Sequence, residues 1–191
     1  MDRKPTREEA WRLLTDHVKT PNLLAHALAV EAAMRQVARK KGADEEMWGI
    51  VGLIHDVDYE EHPDEHLRHA PDLLRGQGWP EEYVRAVASH GWGICTDVEP
   101  VTDLEKALFA IDELTGLVAA AALVRPSRSV LDLPVKSVQK KWKDKAFAAG
   151  VDRSVIEKGA ALMGAPLEEL IADTIEGMKT VAAEIGLKGN L

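Results

Sequence analysis

The chain has 191 residues, 46% of them hydrophobic and 29% charged, with a formal net charge of -8. This is the balance of one globular domain with a sizeable core, which excludes disorder, a collagen-like fibre and a disulfide framework; the single cysteine, Cys95, has no partner within the chain and suits a reducing compartment. The negative charge disfavours a nucleic-acid polymer as partner, because the general attraction to phosphate would have the wrong sign, but it admits a small anionic substrate in a locally basic pocket.

Apolar residues recur almost throughout with the helical period, and no alternating run is long enough for a strand. Trp11, Leu14 and Val18 mark a first helix after Pro5 and Thr6. Pro21 opens a second, with a stripe through Leu23, Ala27, Val30, Met34 and Val37, and Gly42 ends it. Asp44 is the expected N-cap of a third helix, which carries Met47, Val51 and Ile54. The pattern predicts further helices over His66 to Arg75 and from Pro80 to near His90. After a polar loop from Asp97 to Asp103, a long helix is expected over Leu104 to Val124. Beyond an irregular stretch from Arg125 to Pro134, three more are expected: Val135 to Ala149, Asp152 to Met163 and Pro166 to Ile185. The expected fold is all-α, a compact helical bundle over 1–124 with a C-terminal helical extension over 125–191 packed on it as one domain.

Several polar residues sit where that pattern makes them costly. His26 falls in the apolar stripe of the second helix, among Leu23, Val30, Ala33 and Val37. Alone, it reads first as a buried histidine bonded to backbone. The third helix runs apolar through Ile50, Val51, Leu53 and Ile54, then presents His55 and Asp56 in succession. Adjacent helical residues point about 100° apart, so one ion is gripped by both only near a helix end, where this pair lies. Asp112 lies between Ala107-Leu108-Phe109-Ala110-Ile111 and Leu114. A carboxylate there needs a cation or a buried Arg or Lys, and no basic candidate stands out on the second helix. His66 and His90 have similar surroundings; His62, in a Glu-His-Pro-Asp loop, and His69 fit less well, and His17 reads as a surface residue.

The ordered set His26, His55-Asp56, Asp112, in the stretches NLLAHALAVEAAM, GLIHDVDYE and ALFAIDELTG, resembles the metal-binding signature of the HD superfamily of metal-dependent phosphohydrolases. The intervening EHLRHAPDLLRGQGWPEEYVRAVASH resembles the two-histidine segment of its HDIG branch. The resemblance implies an HD-type helical bundle in which His66 and His90 complete a six-ligand, two-metal site with His26, His55, Asp56 and Asp112. It also implies that Asp56, His66 and His90 carry catalysis. The sequence departs from the branch at Val57-Asp58, where Ile-Gly is usual, and at Tyr59, where related nucleotide hydrolases often place Lys or Glu. Asp58 and Glu60 could replace the missing carboxylate, but each reads first as a solvated loop acid.

The stretch from Arg125 to Lys145 is the one basic segment, with Arg125, Lys136 and Lys140 as leading candidates to contact a substrate anion; its alternative is an amphipathic helix with solvated edges. The expected activity is hydrolysis of a small phosphorylated, nucleotide-type substrate by a water activated on one or two divalent ions, with Mn, Fe, Mg, Co, Ni and Zn not distinguished. The alternatives are a di-iron oxygenase of the HD type and a non-catalytic module binding a nucleotide or a partner. No signal peptide is expected from Met-Asp-Arg-Lys-Pro, and no membrane span from Leu104 to Val124, which carries Glu105, Lys106, Asp112 and Glu113. A cytoplasmic location is expected and the oligomeric state is left open.

Overall fold

Thr6 starts the first helix, α1 (Arg7–His17), with a capping box: its hydroxyl accepts the Glu9 N–H while the Glu9 carboxylate accepts the N–H of Thr6. The structure, a computed structural model, describes residues 4–191. α2 (Pro21–Lys41) begins at a proline and stops at Gly42, whose φ of 66° closes the last turn. Thr20 caps α2 without its side chain; Glu60 from a later loop accepts the N–H groups of Lys19 and Thr20 instead, at 2.8 and 3.0 Å. Asp44 caps α3 (Glu45–Ile54) by accepting the Met47 N–H. The remaining helices are α4 (Ala70–Gly76), α5 (Glu81–Ser89), α6 (Asp103–Leu123), α7 (Val135–Trp142), α8 (Arg153–Met163) and α9 (Leu167–Lys179). Among the described residues the fold is all-α, with no strand beyond an isolated bridge between Trp92 and Thr96. No helix of the described residues is long and apolar enough to cross a membrane.

The long helices α2 and α6 pass through the interior, burying Val30, Ala33 and Met34 on one and Leu108, Ile111 and Leu114 on the other. α3 packs on α2, and the later helices pack on the same pair, α9 against α2 and α8 against α6. Two glycines permit close approaches between helices. A Cβ at Gly177 would stand 2.6 Å from the Ala32 carbonyl oxygen, and one at Gly159 would stand 2.5 Å from Ala110 Cβ. The segment after 124 is therefore seated directly on the two helices that carry His26 and Asp112.

Three helices differ from the periodicity. His66 lies outside a helix, because Pro71 in the first turn sets the start of α4 at Ala70. A short 3-10 turn (Pro63–Glu65) precedes it, and Leu67 adopts a φ of 64° while burying its side chain. The helix expected to reach Ala149 stops at Trp142. There the Arg153 guanidinium donates to the carbonyls of Trp142, Asp144 and Phe147 at 3.0, 3.0 and 2.6 Å, drawing the chain into a compact turn that replaces helical bonds. α9 ends at Lys179 rather than Ile185, and the residues to Gly186 form turns that bury Ala182 and Ile185.

Candidate metal centre

Three helix ends, the middle of α6 and one loop bring the expected ligands together. His26 is in the first turns of α2, His55 and Asp56 follow α3, Asp112 is near the middle of α6, His90 caps α5 and His66 follows the 3-10 turn. His26 Nε2 lies 3.0 Å from Asp112 Oδ1 and 3.2 Å from His55 Nε2. Asp56 Oδ2 is 3.4 Å from His55 Nε2 and 3.7 Å from His26 Nε2. Its other oxygen, Oδ1, is 3.3 Å from His66 Nε2 and 3.4 Å from His90 Nε2, and those two nitrogens are 3.2 Å apart. With ligand bonds near 2.1 Å, the edges of a tetrahedral or octahedral first shell are about 3.0–3.4 Å long. The donors thus stand at the spacing a divalent ion requires. They form two groups that share Asp56.

The second ring nitrogen of every histidine is engaged. His55 Nδ1 donates to the Gly52 carbonyl at 2.7 Å, His90 Nδ1 to the Val87 carbonyl at 2.7 Å, and His66 Nδ1 to Asp58 Oδ1 at 2.9 Å. These partners only accept, so in the neutral, metal-binding form of each ring the proton stays on Nδ1 and the Nε2 lone pair points inward. The Thr115 hydroxyl donates to the Asp112 carbonyl at 2.8 Å, leaving its oxygen to accept from His26 Nδ1 at 3.4 Å. Asp58 corrects the reading of it as a solvated acid: it is fully buried, and its Oδ2 accepts the N–H groups of His69 and Ala70 at 3.1 and 2.9 Å. Glu60 does lie at the surface, holding the start of α2.

The electrostatics match a cation site. Burial works against charge on His55, yet Asp56 and Asp112 hold it well above the usual imidazole range. Burial likewise opposes charge on His66, but Asp56 and Asp58 push it up to about 9. Burial would raise the Asp112 and Asp56 carboxyls; the imidazoles, His55 foremost, pull both well below the usual range. Asp112 pairs with His26 and His55 and, among the described residues, with no Lys or Arg. Without an ion the imidazoles must hold protons to balance the two carboxylates; one or two divalent ions could supply that positive charge instead.

The centre opens into a cavity lined by His26, Asp56, His66, His90 and Asp112 on its floor and by Tyr59, Ile94, Val151 and Val155 on its apolar walls. Comparison of the chain with protein-family models, curated proteins and solved structures finds no match. The centre therefore stands on its own geometry. Among the described residues and outside the ligands, the one ionisable acid or base lining the cavity besides Tyr59 and Cys95 is Glu113, whose carboxylate accepts the Asp152 N–H at 3.0 Å. Burial, and then the charge of Asp112, push Glu113 up to about 7. The sequence reading passed over Glu113, although it stands beside Asp112 in the ALFAIDELTG stretch.

The residues expected to contact a substrate anion are not brought to this cavity. Arg125 pairs with Asp132 at 2.9 Å, and Lys136 and Lys140 are exposed on α7, which packs against α9 and α6. None of the three lines the cavity.

Proposed function

We propose that the chain is a metal-dependent phosphohydrolase of the HD type, acting on a small phosphorylated substrate of nucleotide type. The observation that carries this reading is the position of the Asp56 carboxylate between two sets of donors, with Oδ2 facing His26 and His55 beside Asp112 and Oδ1 facing His66 and His90. The first group offers four protein donors and the second three, so the second keeps the more open face. Ions held there would polarise a phosphoryl oxygen and acidify a water. The chain's own part is to position. Asp56 keeps the two groups in register, the Nδ1 partners fix each ring, and Glu113 presents a carboxyl at the rim that can give or take a proton. Tyr59, edge-on to His66 with ring centroids 5.2 Å apart, offers an aromatic face beside the floor for a flat apolar group such as a base.

One observation favours a second reading. Among the described residues no Lys or Arg lines the cavity, so a substrate phosphate would be neutralised by the ions alone. A weakly charged substrate fits such walls as well, and a di-iron oxygenase would use the same six ligands. The deciding experiment is a phosphate-release screen over nucleoside monophosphates, dinucleoside polyphosphates, cyclic nucleotides and sugar phosphates. It is run anaerobically with Mn²⁺ or Mg²⁺ as the only metal. Phosphate release is the expected result. Turnover that appears only with Fe²⁺ and oxygen overturns it in favour of oxidation.

A further inference from the structure

Outside the buried centre, His62, Glu65 and His69 place one donor atom each within 4.8 Å of one another. The His62 and His69 rings stack with centroids 3.9 Å apart, and His69 Nε2 is 3.3 Å from Glu65 Oε2. That last spacing already equals the edge of a tetrahedral shell with bonds of about 2.0–2.1 Å. Glu65 is not free to wander: Arg68 Nη1 donates to its Oε1 at 3.1 Å, leaving Oε2 for His69 and for an ion. The backbone fixes the other two. The His62 N–H donates to the Asp58 carbonyl at 2.9 Å, and the His69 N–H to Asp58 Oδ2 at 3.1 Å. Because Leu67 takes a left-handed conformation between them, His66 and Leu67 turn inward while Glu65, Arg68 and His69 face out.

We propose that His62, Glu65 and His69 form a second, solvent-facing site for a late first-row divalent ion such as Zn²⁺, Ni²⁺, Co²⁺ or Cu²⁺. Two imidazoles and one carboxylate suit these borderline ions. Mg²⁺ and Ca²⁺ demand oxygen donors that the trio does not supply. An ion there joins the 3-10 turn to the start of α4 and so clasps, from outside, the segment that carries His66. The site depends on neither the reaction nor the occupancy of the buried centre.

The test is equilibrium dialysis of the full chain against Zn²⁺ with elemental analysis, comparing wild type with His62→Ala/His69→Ala and with Glu65→Gln. Circular dichroism shows whether each variant keeps its helices. The double variant is expected to bind one ion fewer per chain at saturation, and Glu65→Gln, whose shape is unchanged, to keep that ion at about tenfold or more weaker affinity. His26→Ala, which disturbs only the buried centre, is expected to leave this ion in place. Folded double-variant protein that binds as much Zn²⁺ as wild type through the whole titration overturns the site, whatever His26→Ala does.

Discussion

The buried Asp58 pairs with the half-buried His66: the imidazole Nδ1 donates to Oδ1 at 2.9 Å, while the other carboxylate oxygen ties down the start of α4. One side chain thus sets both the ring orientation and the course of the loop that delivers it. Asp58→Ala is expected to weaken the ion bound by His66 and His90 by about 10–100-fold, the usual cost of losing an acceptor behind a ligand histidine. The ion bound by His26, His55 and Asp112 is expected to change little. Metal titration of the two classes of site checks this; equal weakening of both would contradict it.

Protons and metal ions compete for the same nitrogens. Against the opposing effect of burial, Asp56 and Asp58 push His66 from the ordinary imidazole range up to about 9. Before an ion binds, the charged ring therefore stabilises the fold fully below the unfolded value, and that contribution fades as pH rises through 9. Metal uptake must displace the proton. Affinity is expected to climb between these limits by about tenfold per pH unit for each proton released, then level off. Calorimetric titrations in buffers of different ionisation enthalpy measure the release. No release and a flat affinity would refute the competition.

The contact of Gly159 with Ala110 seats α8, whose beginning forms one wall of the cavity. Gly159→Val would drive a side chain into the Ala110 backbone, since even a Cβ stands 2.8 Å from Ala110 Cα. Overpacking of this kind costs about 1–3 kcal/mol, and each kcal/mol lowers Tm by roughly 2–4 °C in a chain of this size. Thermal unfolding followed at the helical signal reads the effect. An unchanged Tm would mean that α8 does not rest on α6 as described.

His26, His55 and Asp112 were legible because helical periodicity put polar groups among apolar neighbours, where each needed a partner. Asp58 was not. Its burial comes from the chain folding back so that His66, His69 and Ala70 all reach it, and nothing in the local run of acids distinguishes it from Glu60 or Glu61. The end of α7 was hidden for a related reason, because Arg153, eleven residues on from Trp142, takes up the carbonyls that end it. The basic segment misled through composition: Arg125 is occupied by Asp132, and the lysines face solvent on a helix that packs elsewhere.

The proposed centre has two ion positions joined by Asp56, and electron paramagnetic resonance of the Mn²⁺-loaded chain tests it most directly. Mn²⁺ ions bridged by a carboxylate at about 3.5–4 Å are exchange-coupled. Their spectrum differs from that of isolated ions, and the solvent-facing trio can hold no such pair. Wild type at saturating Mn²⁺ is expected to give the coupled spectrum, and Asp56→Ala and His66→Ala to lose it while keeping their helices. A wild-type spectrum of isolated Mn²⁺ at every loading would contradict the shared centre.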